Sequence, residues 1–212
     1  MRAIVAAGGD PLNEMWHAAL PADALVIAAD SGLAHVYALG LVPHVVVGDF
    51  DSVDPTQLDR ANRAGARIER HPTDKDATDL ELALVVARER GATDVTVIGG
   101  GGGRLDHALA NIALLADPAW ASMRIEAFLG TARVTVVRDH AAIEGTINSL
   151  VTLLAVGGTA SGITTTGLRW PLTDDELAPT ASRGVSNEIT RSPASVTVRT
   201  GTLLVIQPSG GR

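Results

Sequence analysis

The chain has 212 residues, 46% of them hydrophobic, and a mean hydropathy of +0.20, which allows a substantial core and excludes a disordered chain. A formal net charge of −7 argues against a partner that needs a basic surface, such as a nucleic acid. No run of about 18 apolar residues offers a membrane span, and the absence of cysteine excludes disulfides and thiolate metal sites, so a cytoplasmic protein is expected.

The N-terminal run MRAIVAAGGDPLNE lacks the longer apolar region of a secretory signal and reads as a first strand, AIVAA, ending in Gly8-Gly9-Asp10. ALVIAA follows at Ala24–Ala29 and ends in Asp30. VVV at Val45–Val47 ends in Gly48-Asp49-Phe50-Asp51, and VTVI at Val95–Ile98 ends in five glycines. Short runs that are apolar on both faces suit a parallel sheet covered on both sides. Helical patterns lie between them: Ser31–Leu39 before Gly40, Leu80–Arg90 before Gly91, and Asp106–Leu115 before Asp117-Pro118. The alternation predicts an α/β domain with a mostly parallel, Rossmann-like sheet and flanking helices.

Beyond Ala121–Arg124 the pattern changes. RVTVV (Arg133–Val137), SLVTLLAV (Ser149–Val156), ASGITTT (Ala160–Thr166), SVTVR (Ser195–Arg199) and TLLVI (Thr202–Ile206) are β-branched runs. Turn signals such as Gly157-Gly158 and Thr200-Gly201 separate them, which predicts an antiparallel β-sandwich. The expected domains are therefore residues 1–122 and 123–212.

Ligands of an open parallel sheet bind beyond the carboxyl ends of its strands. Those ends carry Asp30, Asp49 and Asp51, and the glycine run Gly99–Gly103. Asp49 and Asp51 share strand parity, so both are placed to turn toward one cation. An Asx turn through GDFDS is the alternative. Magnesium suits oxygen ligands and substrate phosphates, whereas the scattered histidines offer no zinc pattern. Nine of the 24 acidic residues lie between Asp49 and Glu81, and this segment also holds Lys75, the one lysine of the chain. Thr78 and Glu81 match a capping box. Asp74, Lys75, Asp76 and Asp79 remain as candidates for metal or phosphate binding.

The loop VIGGGGGRLDHALANIALL brings backbone N–H groups near a phosphate, but it matches neither the Walker A nor the dinucleotide spacing. Arg104 offers a fork for phosphate, and Asp106 either caps the following helix or joins the metal carboxylates.

Taken in order, GDFDS, KDATD (Lys75–Asp79), GRLDH (Gly103–His107), TTGLRWPLTDDEL (Thr165–Leu177) and SNE (Ser186–Glu188) resemble the thiamine pyrophosphokinase family, in its bacterial form. The resemblance implies an α/β domain plus a β-sandwich, transfer of a pyrophosphoryl group from ATP to thiamine, and a homodimer with sites at the subunit interface. It implies that Asp49, Asp51 and Asp79 are magnesium ligands, with Arg104 and Asp106 in the catalytic set. It implies that Asp30, Lys75, Asp76, Gly102, Gly103 and Arg104 contact ATP. Trp170 takes the aromatic position that stacks on the thiamine pyrimidine, with Thr164, Ser186 and Asn187 near it. The chain departs from the family at Ser31, where many members carry glycine, and in its unbroken glycine run. Two other functions are compatible with the acidic site: a diphosphokinase for another flat alcohol such as a pterin, and a non-catalytic thiamine or nucleotide sensor.

Overall fold

A computed structural model describes residues 1–208 and divides the chain into two units. The first comprises Met1–Leu114 with Ser122–Gly130, and the second Leu115–Ala121 with the chain from Thr131 onward.

In the first unit the apolar runs form β1 (Arg2–Ala6), β2 (Leu25–Ala29), β3 (Val45–Gly48) and β5 (Asp94–Ile98). Two further strands, β4 (Arg67–Arg70) and β6 (Arg124–Leu129), extend the sheet at its two ends. The order is β4-β3-β2-β1-β5-β6, with every pairing parallel. Sequence patterning overlooks β4 because RIER is a charged edge strand, with its outer residues exposed. It also places β6 at the start of the second domain, whereas β6 pairs with β5 and lies in the first unit.

Four helices connect these strands: α1 (Gly32–Ala38), α2 (Pro55–Arg63), α3 (Asp79–Glu89) and α4 (Leu105–Leu115). Helix α2 carries few apolar residues to mark it as part of the core, since only Ala61 is buried. Its sequence signal is the Asp54 N-cap, which accepts from the Thr56 N–H, followed by Pro55 in the first turn. One part of the core gathers Ile4, Val26, Leu33, Val46, Ile98 and Phe128, with the Trp16 ring stacked 4.8 Å from Phe128. Helix α3 packs across β1, β2 and β3, which sets its N-terminus beside their carboxyl ends.

The second unit contains β7 (Ala132–Val137), β8 (His140–Ile143), β9 (Leu150–Thr166), β10 (Asp175–Leu177), β11 (Asn187–Glu188), β12 (Ala194–Thr197) and β13 (Thr200–Pro208). All its pairings are antiparallel. The two runs expected on either side of Gly157-Gly158 are one 17-residue strand, β9. Its first half pairs with β13 and its last residues with β12, across a register irregularity between Thr200 and Thr202. A long strand that bends through glycines and serves two sheets is how a sandwich turns its corner. Val151, Leu153, Ile163, Val196, Leu203 and Val205 belong to the core between them.

Gly32 shows how tightly α1 is seated on β1. A Cβ at this position would lie 2.0 Å from the Ala6 carbonyl oxygen. Gly32→Ala is therefore expected to destabilise the protein by about 1–3 kcal/mol, read as a melting temperature several degrees lower. An unchanged melting temperature would contradict this packing.

Candidate active site

The strand order reverses direction at β1, with β2 on one side and β5 on the other. This is the switch point at which an open α/β sheet forms its crevice. Around it the chain places Asp30 after β2, Asp49 after β3, and Asp79 in the first turn of α3. One carboxylate oxygen from each of the three lies within 4.8 Å of the others. The backbone is constrained to achieve this. Asp30 adopts a left-handed conformation (φ 46°), its N–H donates to the Val47 carbonyl at 2.9 Å, and a Cβ on Gly48 would meet the Asp30 Cβ at 3.2 Å. A non-glycine residue held at such a φ costs about 1–3 kcal/mol, and such residues cluster at functional sites.

Three convergent carboxylates need a cation, and Lys75 supplies one within the chain. Its Nζ donates to Asp49 Oδ2 at 3.1 Å and lies 3.3 Å from Asp79 Oδ1. The second contact is an ion pair only, for Asp79 Oδ1 has no formed hydrogen bond among the described residues. The three side chains are 14%, 12% and 26% exposed respectively, so water screens them incompletely. Burial, the largest single influence on Lys75, pulls its pKa down, but the pairing with Asp49 and Asp79 outweighs it and the net shift is upward. The Asp51 backbone N–H, and then Lys75, hold the Asp49 carboxyl below its ordinary value. Asp30 moves the other way. Burial raises its pKa, the Ser31 N–H opposes this, and the charges of Asp79, Asp49 and Asp51 add to the rise. Its Oδ1 is buried without a hydrogen-bond partner among the described residues. A buried acceptor in that state costs about 1–3 kcal/mol. Hard oxygen donors, two of them without a hydrogen bond among the described residues, fit a divalent cation such as magnesium.

Other residues expected in the acidic site lie differently. Phe50 takes φ 66° and buries its ring, with the Arg70 guanidinium 4.7 Å from the ring centre. The chain therefore twists between Asp49 and Asp51. Asp49 Oδ1 accepts the Asp51 N–H at 3.1 Å, an Asx turn, while the exposed Asp51 carboxylate accepts from Ser52 Oγ at 2.7 Å. Asp51 contributes charge to the rim but stands outside the three-carboxylate group. Asp106 also stands outside it. Arg104 grips it through Nε at 3.2 Å and Nη2 at 2.6 Å, which holds its pKa down at about 2. Asp76 is exposed. Arg70 was not singled out from the sequence, although its Nη1 holds the Asp49 carbonyl at 2.8 Å. Its only signal is its place at the end of a strand that periodicity did not reveal.

The glycine run follows β5. Gly99, Gly100, Gly102 and Gly103 all have positive φ, a conformation that other residues take at a cost, and a Cβ on Gly101 would lie 3.3 Å from the Leu129 Cβ. Gly101 accepts the Asp10 N–H at 2.9 Å, Asn111 Nδ2 donates to the Gly100 carbonyl at 2.9 Å, and a Cβ on Gly102 would lie 2.0 Å from an Asp10 carboxylate oxygen. The loop is thus braced from both β1 and α4 and keeps bare backbone at the rim, as phosphate binding requires.

In the second unit, a cleft of about 400 Å³ is lined by Leu153, Trp170, Pro171, Leu172, Gly184 and Asn187, together with Arg169 and Arg183. Trp170 is 54% exposed. Of the residues expected around it, Asn187 lines the cleft, whereas Thr164 and Ser186 are not among the lining residues. Thr164 Oγ1 instead accepts the Asp174 N–H at 3.1 Å, and the Ser186 N–H donates to Thr152 Oγ1 at 3.0 Å. The two arginines were missed, although Arg169 stands beside Trp170 in the sequence. Arg183 pairs with Asp175, and Arg169 with the buried Glu188 at 2.8 Å.

Comparison with known proteins matches residues 16–128 to the model of the thiamin pyrophosphokinase catalytic domain, and residues 139–205 to that of the thiamin pyrophosphokinase vitamin B1 binding domain. The chain is 27% identical over 192 residues to thiamine pyrophosphokinase of Bacillus subtilis, covering 86% of each protein. The crystal structure of a Bacillus subtilis thiamine pyrophosphokinase superposes with a TM-score of 0.86 at 24% identity and covers all of both chains. That of a Geobacillus thermodenitrificans thiamin pyrophosphokinase gives 0.81 at 26% identity, covering 100% of this chain and 99% of the other.

Replacing Lys75 with methionine leaves three facing carboxylates without their internal cation. In the presence of a chelator this variant is expected to melt several degrees below the wild type. Added magnesium should restore more of its melting temperature than it adds to the wild type. Equal melting temperatures in chelator would show that Lys75 does not hold the group together.

Proposed function

The chain belongs to the thiamin pyrophosphokinase family, and from that premise we propose how its residues divide the work. It transfers the pyrophosphoryl group of ATP to the hydroxyl of thiamine, giving thiamine diphosphate and AMP. The observation that carries the site assignment is the convergence of Asp30, Asp49 and Asp79, with buried oxygens of Asp30 and Asp79 that have no hydrogen-bond partner among the described residues.

Phosphoryl transfer asks a protein mainly for position and for stabilisation of charge. We assign Asp30, Asp49 and Asp79 to holding a magnesium ion. When bound, that ion supplies charge neutralisation at phosphate oxygens. Lys75 exchanges a carboxylate for a phosphate when ATP binds, since its ammonium is a mobile point charge. Arg104 is exposed just before α4, and Asp106 holds its Nε and Nη2, which leaves the Nη1 side of the guanidinium to meet phosphate. The exposed backbone N–H groups of Gly102 and Gly103 receive phosphate oxygens, while the Gly100 N–H stays bonded to the Gly8 carbonyl. The thiamine oxygen attacks the β-phosphorus, the bond to the bridging oxygen of the α-phosphate breaks, and AMP leaves. The hydroxyl proton passes to a rim carboxylate or to water, and a loose transition state makes little demand on a strong base.

Trp170 offers its exposed indole to the thiamine pyrimidine, and the acidic rim favours a cationic substrate. A homodimer is proposed from the family resemblance. Exposed Leu105 and Leu109 on α4 are apolar side chains that such an assembly would cover favourably. Among the described residues, no helix is long and apolar enough to cross a membrane. The absence of cysteine supports a cytoplasmic location.

Resolving the nucleotide products tests the reaction. Protein incubated with ATP, magnesium and thiamine is expected to yield AMP and thiamine diphosphate in equal amounts. ADP with thiamine monophosphate would contradict pyrophosphoryl transfer.

A further inference from the structure

The segment Ser186–Glu188 follows Trp170 by some sixteen residues, yet the two meet. Residues Leu168 and Ile189 form an antiparallel bridge, and the Arg169 N–H donates to the Glu188 carbonyl at 2.9 Å. The Asn187 side chain reaches across this pairing. Its Oδ1 accepts the Trp170 N–H at 3.1 Å and the Glu188 N–H at 2.9 Å, while its Nδ2 donates to the Trp170 carbonyl at 2.8 Å. The backbone partners settle which end of the amide is oxygen, because two N–H groups face one end and a carbonyl faces the other. Asn187 is 5% exposed.

The accounting leaves little for a ligand. A carboxamide has two acceptor sites and two donor hydrogens. Both acceptor sites and one donor are used within the chain. The neighbouring residue continues the arrangement. Glu188 is buried and binds Arg169 Nη1 at 2.8 Å, and the Arg169 guanidinium lies 5.0 Å from the Trp170 ring centre. On the far side of Trp170-Pro171, Thr165 Oγ1 accepts the Leu172 N–H at 2.9 Å and Thr164 Oγ1 accepts that of Asp174. The Trp170 backbone is therefore fixed from both directions while its ring remains half exposed.

From these contacts we infer that Asn187 is a positioning residue that fixes Trp170 rather than a residue that binds thiamine itself, and that Glu188 assists by seating Arg169 against the indole. This rests on the assignment of Trp170 to the thiamine site. It accounts for the pairing of two sequence blocks far apart in the chain: one carries the aromatic platform and the other locks it. A side chain held loosely would order only on binding, and the affinity would fall accordingly. No aspartate, serine or glutamine at this position reproduces all three hydrogen bonds. Aspartate keeps the acceptor but turns a second oxygen toward the Trp170 carbonyl.

The test compares Asn187→Asp and Asn187→Ser, each alone and in a Trp170→Ala background, with circular dichroism to confirm folding. In the ligand-free protein, each Asn187 variant is expected to increase acrylamide quenching of tryptophan emission, and the difference should vanish when Trp170 is alanine. The KM for thiamine should rise about tenfold with the KM for ATP unchanged, the size expected for losing a buried hydrogen bond. That rise should shrink to less than about twofold in the Trp170→Ala background, as coupled residues require. Unchanged quenching in both folded Asn187 variants would overturn the inference, as would an undiminished tenfold loss without Trp170. If Trp170→Ala alone leaves the KM for thiamine unchanged, the assignment of Trp170 fails instead, and the quenching comparison still decides the role of Asn187.

Discussion

Three carboxylates held within a few ångströms repel one another, and the first unit is arranged so that they nonetheless meet. Asp30, Asp49 and Asp79 come from the ends of two neighbouring strands and the start of the helix that packs over them. Because β2 and β3 are buried on both faces, they cannot shift to relieve the repulsion without exposing core. The charge must be offset instead. Lys75 does so within the chain, and the unsatisfied Asp30 oxygen marks where its offset falls short. Stability and reactivity thus act on the same atoms. On the proposed assignment, a divalent cation and phosphates would share the charge that Lys75 offsets only in part.

The second unit solves a different problem. An exposed indole is a good platform for a flat ring, but an unsupported one is mobile. Here the ring is left accessible while its backbone is held by Asn187 and by the threonines at the end of β9, Thr164 and Thr165. Arg183 and Asp175 pair at the same cleft, and the pairing holds the Asp175 carboxyl below its ordinary pKa, first through Arg183 and then through the Glu176 N–H. The polar groups there are mostly engaged with one another, which leaves shape and stacking to select the ligand.

Legibility followed the kind of signal that each element carries. Strands β1, β2, β3 and β5 announce themselves because burial on both faces demands continuous apolar runs. Helix α3 is visible from Thr78, whose Oγ1 accepts the Glu81 N–H as a capping residue should. Strand β4 and helix α2 are mostly polar, so no apolar run marks them. The residues of the acidic site were readable, but their grouping was not. Parity pairs Asp49 with Asp51 only if the chain stays extended between them, and the left-handed Phe50 breaks that condition. Asp30 enters the group because β2 lies beside β3, a fact of sheet order that no local pattern contains. In the second unit, Gly157-Gly158 reads equally well as a turn or as a bend within one strand, and pairing with β13 and β12 decides for the bend.

The central claim is that Asp30, Asp49 and Asp79 form one cation site although each belongs to a different segment. Titration with Mn²⁺, followed by electron paramagnetic resonance in the presence of ATP, measures it without depending on turnover. Asp30→Asn removes charge from the member whose buried oxygen has no partner. The account predicts at least a tenfold loss of Mn²⁺ affinity relative to the wild type, with the fold retained. Equal affinity in the two proteins would contradict it.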